Sequence, residues 1–178
     1  APANGIWRIR VYNTQYLTGQ FNMWLPAHTL ISDETVFLTP SPYTTITLPG
    51  DSPSPITVGA YNHLNNSIYI HSSRGYTIGG LIKPDLAAPG VDIVTARRGG
   101  GYEAVTGTSF AAPFVTGSAA LLMQWGILQG NDPFLYGEKV KAYFTRGARH
   151  LPGYDVWPNE RLGYGTLCVR DSLPLGNS

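Results

Sequence analysis

Apolar and polar residues alternate with the period of a strand through much of the first fifty positions. Trp7, Ile9 and Val11 interleave with Arg8 and Arg10, and Phe21, Met23 and Leu25 with Asn22 and Trp24. Side chains two apart share one face, as half-buried strands require. Shorter runs at 36–38 and 44–48 follow, separated by Pro40, Ser41 and Pro42, a spacing suited to an antiparallel sandwich. The pattern breaks at PGDSPSP (49–55), which predicts a module boundary. Beyond it, ITVGAY (56–61) is an apolar run of the kind buried in a parallel sheet. KPDLAAPG (83–90) reads as a turn-rich connection, 91–96 as a short strand, and Gly99 to Gly101 as a flexible loop. From Gly107 an apolar stretch predicts the longest helix, ending near Gly126 or Gly130. A second helix is expected from Asp132, as cap, and Pro133, at its first position, to about Gly147. Residues 163–169 read as a closing strand. Two modules follow, 1–50 and 51–178.

Composition narrows the picture. The chain has 178 residues, 43% apolar and 13% charged, enough for one core or for pieces of two. Its 12 basic and 11 acidic residues give a net charge of +1 without long runs of either sign, so no footprint for nucleic acid or an anionic membrane is expected. The apolar stretch from Phe114 to Leu128, interrupted by Thr116, Ser118 and Gln124, falls short of the roughly 20 residues of a spanning helix. The single cysteine, Cys168, excludes an intrachain disulfide and reads as a small buried side chain. His63 and His71 lack clustered carboxylates, so no metal is expected. The three glycines at 99–101 are not followed by Lys-Ser or Lys-Thr, which argues against a phosphate cradle, and no cofactor is expected. The chain opens close to a strand pattern with no secretory segment at Ala1, and is expected to belong to a longer protein.

The chemistry concentrates at Gly107-Thr108-Ser109. A serine at the start of an apolar helix can be a cap, its hydroxyl accepting from free backbone N–H groups. It can also be a nucleophile, with the helix N-terminus aimed at the oxyanion that forms when it attacks. Gly107, Ala111 and Ala112 leave room for a substrate, and Pro113 removes an N–H where the loss is small.

The segment GTSFAAPFVTG (107–117) resembles the serine motif of the subtilases, the subtilisin-like serine proteases of family S8. ITVGAY (56–61), SSRG (72–75), KPDLAAPGVDI (83–93) and GYGTL (163–167) resemble further blocks in the family's order, so the likeness covers about two-thirds of the chain. Phe114 departs from the His that many subtilases have there. The resemblance implies an α/β fold: the C-terminal part of a doubly wound subtilase sheet carrying the serine helix. It makes Ser109 the nucleophile of an endopeptidase, with Thr108 and Gly107 in oxyanion support. Residues 1–50 resemble the end of a β-sandwich (jelly-roll) insert, found in a subgroup that includes spore-germination-associated subtilases.

The family orders its triad Asp, His, Ser. None of His28, His63, His71 or His150 stands in the family's His-Gly-Thr context, and Asp33, Asp51, Asp85 and Asp92 lack that of the orienting aspartate. Asp, His and the oxyanion-hole Asn are therefore expected upstream, and the isolated chain is expected to be inactive. By the magnitudes measured on subtilisin, losing the Asn donor costs about 10²–10³ in turnover and disabling the His roughly 10⁶. The implied partners are a peptide or protein substrate, the N-terminal half of the same protease, a propeptide and a second copy of the chain. The implied location is extracellular or spore-associated. The rival reading is a non-catalytic pseudoprotease that regulates by binding protein.

Overall fold

The expected buried strand forms at Val58–Tyr61 (β1), pairing in parallel with Leu86–Pro89 (β2) from Val58↔Leu86 to Tyr61↔Pro89. The computed structural model describes residues 5–12, 21–26 and 28–174, with His28 described by its backbone alone. It separates into two units, Ala1–Pro40 and Ser41–Ser178.

In the second unit, β2 corrects the reading of 83–90 as a mere connection. Leu86, Ala87 and Ala88 are completely buried. Alanine and proline are poor strand formers, but burial between neighbours overrides propensity, and small side chains let a helix approach. On the other side of β2, Ala87 N–H donates to the Gly165 carbonyl at 2.9 Å and Leu167 N–H to the Ala87 carbonyl at 2.8 Å. The expected closing strand at 163–169 shrinks to this contact, with Thr166 bridging both Ala87 and Arg149. Short β3 (Ile93–Ala96) and β4 (Tyr102–Val105) form an antiparallel hairpin. Its tip uses Gly99, Gly100 and Gly101, all at positive φ, where other residues are strained.

Helix α1 (Thr108–Met123) continues through a π-helical turn to Leu128, close to the expected end. Over 21 residues with mean hydropathy 1.3, it could span a membrane by length and composition alone. Instead it packs on β1 and β2, burying Ala111, Val115, Ser118 and Leu122. Helix α2 (Gly137–Arg146) starts four residues later than expected. Asp132 to Leu135 closes a turn, with Leu135 N–H bonded to the Asp132 carbonyl at 3.1 Å. The Asp132 carboxylate takes Lys139 at 2.8 Å and the Tyr143 hydroxyl at 3.2 Å, so it pins the side of α2 and does not cap it. Val140 and Phe144 join the core. Cys168 is half-buried at the start of a short helix, α3 (Val169–Ser172), rather than inside a strand.

One polar cluster lies deep in this unit. Asp85 accepts from Lys83 Nζ and Lys141 Nζ, each at 2.7 Å, and from Thr57 N–H at 2.7 Å. The two ammonium groups also donate to the carbonyls of Pro55 and Pro53, respectively. Burial pushes the Lys83 pKa below its ordinary value, opposed by the hydrogen bond to Asp85. The cluster ties the 53–55 segment to β2 and α2. Asp85 is thus a structural carboxylate, in keeping with its exclusion from the triad.

In the first unit, described residues 5–12, 21–26 and 36–38 form no strand; among the described residues the regular element there is a 3₁₀ turn at His28–Leu30. Alternation supplies a face, but a strand also needs a neighbour for its N–H and C=O groups, and among the described residues no regular ladder forms on these segments. In the second unit, 44–48 is likewise not a regular strand, although Thr45 N–H bonds to the Arg74 carbonyl at 2.9 Å.

Candidate active site

The N-terminus of α1 is assembled by β2. The chain leaves β2 at Gly90, makes the β3–β4 excursion and returns, where Gly107 N–H donates to the Gly90 carbonyl at 2.8 Å. A Cβ on Gly90 would lie 2.7 Å from Ala60 Cβ and 2.9 Å from the Gly107 oxygen, too close for any side chain. Gly107 itself is held at φ 156°, ψ 161°, a conformation essentially confined to glycine. The sequence GTS therefore marks a turn that only glycine can make, stacked on a second glycine.

Gly107, not the serine, occupies the cap position, and no side chain caps this helix. Ser109 sits at its second residue, exposed, and its hydroxyl has no hydrogen-bond partner among the described residues. The capping alternative therefore fails. Phe110 N–H is taken by the Gly107 carbonyl at 3.1 Å, while the Thr108 and Ser109 amides have no backbone acceptor, as expected for the first turn of a helix. Two unsatisfied donors and the positive end of a long helix thus surround an unengaged hydroxyl, an arrangement suited to a developing oxyanion. Half-buried Thr108 lines a cleft of about 200 Å³ with Val58, Ser72, Ser73 and residues 46–50.

The structure brings Gly107, Thr108 and Ser109 together at this turn. His63 and His71 are exposed, His71 lying edge-on to Tyr69 with ring centres 5.4 Å apart. His150 stacks on Trp157 at 4.4 Å. The side chain of His28 lies outside the described residues. Asp92 is at a turn, its N–H bonded to Thr106 Oγ1 at 3.0 Å. Among the described residues no group of three His, Cys, Asp or Glu could hold a metal ion. Sequence reasoning missed Gly90, whose signal was its place in the LAAPG run, and the Lys83–Asp85–Lys141 cluster, whose third member lies far from the other two in sequence.

This glycine-supported serine turn sits within a segment, residues 38–165, that matches the model of the subtilase family, and the chain belongs to that family of serine proteases. It is 33% identical to the serine protease AprX of Bacillus subtilis, over 73% of this chain and 32% of that protein. Its likeness to the C5a peptidase of Streptococcus pyogenes serotype M18 is 31% over 56% of the chain and 10% of that protein. Among solved structures, the CspB protease of Clostridium perfringens superposes with a TM-score of 0.74 at 45% identity, covering 78% of this chain and 30% of that one. The prenylagaramide maturation protease PagA gives 0.61 at 30% identity, covering 74% and 46%. The subtilase-type α/β fold is thereby established, and the chain spans about a third of the length of AprX and of CspB.

Proposed function

We propose that this chain carries the nucleophile of a subtilisin-like endopeptidase, Ser109, whose triad is completed by an Asp and a His from a part of the protease outside these residues. The observation that carries the reading is the exposed, unengaged Ser109 hydroxyl at an uncapped helix N-terminus, inside the segment matched to the subtilase family. In this mechanism the histidine takes the Oγ proton as Ser109 attacks the scissile carbonyl carbon. The oxyanion is met by the Ser109 N–H, with Thr108 and Gly107 in support, together with a donor from elsewhere in the protease. The intermediate collapses to an acyl-enzyme as the amine leaves protonated, and water then releases the acid.

The exposed apolar face of α1, with Leu121 and Leu128 54% and 80% exposed, supports a further segment of the same protease packing there. Residues 1–50 are read as the end of an inserted β-sandwich, on their alternating pattern, and action outside the cytoplasm is part of the proposal. The test is labelling of the full-length protein with a fluorophosphonate, which reacts only with an activated serine. Labelling that disappears in Ser109→Ala supports the proposal, and this chain alone is expected to stay unlabelled. An unlabelled full-length wild type would overturn it and leave a protein-binding pseudoprotease as the better account.

A further inference from the structure

In the second unit, three segments meet around one phenol. Residues 44–45 lie along 74–75, with Arg74 N–H donating to Thr45 Oγ1 at 2.9 Å. From the other side, Gly75 N–H donates to the Glu160 carbonyl at 2.8 Å and the Tyr76 hydroxyl to the Pro158 carbonyl at 3.2 Å. At the junction the Arg74 guanidinium stands 5.8 Å from the Tyr43 ring centre, and Arg161 Nη2 donates to the Tyr43 oxygen at 3.2 Å. That bond from Arg161 holds the Tyr43 pKa below its ordinary value. Because the phenol oxygen accepts from Arg161, its own hydrogen is left to donate elsewhere.

The two arginines are underused. Among the described residues, neither guanidinium is paired with a carboxylate, and Tyr43 is the sole hydrogen-bond acceptor of either side chain. The Nε atoms of both are buried without a partner. Proteins leave few buried donors unpaired, and those carrying charge are the costliest to strand. Glu160 is near enough to act electrostatically on Tyr43 and on Arg161, yet among the described residues it forms no ion pair with either arginine. The surplus is cationic and donor-rich, and guanidinium groups match planar, two-oxygen acceptors best.

We propose that Tyr43, Arg74 and Arg161 form a carboxylate-binding site, with an acidic side chain of a bound peptide as its occupant. Ser73, the neighbour of Arg74 in the chain, lines a cleft with Thr108, the neighbour of Ser109, and the occupant proposed is a peptide that runs from that cleft past Ser73. The choice of a peptide rests on the proteolytic reading; the carboxylate chemistry does not, since an acidic residue elsewhere in the protease would satisfy the same donors.

The experiment measures fluorescence anisotropy of a labelled Glu-containing peptide and its Gln counterpart on full-length protein carrying Ser109→Ala to prevent turnover. The Glu peptide is expected to bind about tenfold tighter, with the preference shrinking in added salt and vanishing when Arg74→Gln and Arg161→Gln are combined. Melting of the same proteins separates the two sources. A carboxylate from the protease itself gives no Glu preference, but a salt-dependent melting temperature that the double variant loses. Equal binding of both peptides together with an unaltered salt dependence would overturn the proposal. Fluorophosphonate labelling of the protein with Ser109 intact reports separately on the nucleophile: its absence beside a persisting Glu preference sinks the proteolytic reading and leaves the site standing.

Discussion

The two units carry similar apolar signals and use them differently. In Ala1–Pro40, Trp7, Ile9 and Val11 keep strand periodicity, yet each is more than 60% exposed. In Ser41–Ser178, β1 and β2 hold Ala60, Leu86 and Ala88 at 1% exposure or less, beneath α1. In the second unit the pattern meets a named partner, β1 pairing with β2. A strand pattern creates a face, but burial comes only when another element covers it and the ladder bonds are made.

The comparison can be broken most forcefully at Asp85. Asp85→Ala strands two ammonium groups, one of them almost fully buried, and is expected to cost about 3–5 kcal/mol, enough to unfold the second unit in a denaturant titration. An unchanged midpoint would mean that the cluster does not hold this unit together. Gly90→Ala comes next: its methyl meets Ala60 and the Gly107 carbonyl, for an expected loss of about 1–3 kcal/mol. Because Gly107 must shift, labelling of Ser109 in the full-length protein should fall further than stability does.

A smaller effect is expected at Asp132. The hydrogen bond from Lys139 holds its carboxyl below the ordinary 3.8, so the folded state keeps a charge that the unfolded chain gives up first. The stabilisation is complete above roughly pH 5 and is lost as the pH falls through 3.8 and below. Melting curves across this range should therefore drop less steeply for Asp132→Asn than for the wild type. Smallest of all, Ile9→Ala is expected to change stability by less than about 0.5 kcal/mol. A larger loss by denaturant titration would show that the first unit's apolar face is covered in solution.

Legibility in the sequence follows the same division. The serine turn, β1 and the extent of α1 could be read because local residues dictate them: glycine at the turn, a continuous apolar run, and helix formers up to Gly126. β2 could not, because Ala87, Ala88 and Pro89 make a strand only where the core demands small side chains. The start of α2 was misplaced because Asp132 and Pro133 suit a turn as well as a cap, and the contact with Lys139 and Tyr143 decides between them. The unused donors of Arg74 and Arg161 had no local signature, since their segments lie 87 residues apart in sequence, by subtraction of their positions.

The bond from Gly107 N–H to the Gly90 carbonyl makes everything between those residues a closed excursion. The β3–β4 hairpin supports its own ladder, and its glycine tip at 99–101 is exposed. Insertions there lengthen a loop whose ends stay fixed, at a cost that grows only slowly with length. The tip is accordingly a graft point, where a fluorophore or an affinity handle can be carried without altering the footing of Ser109.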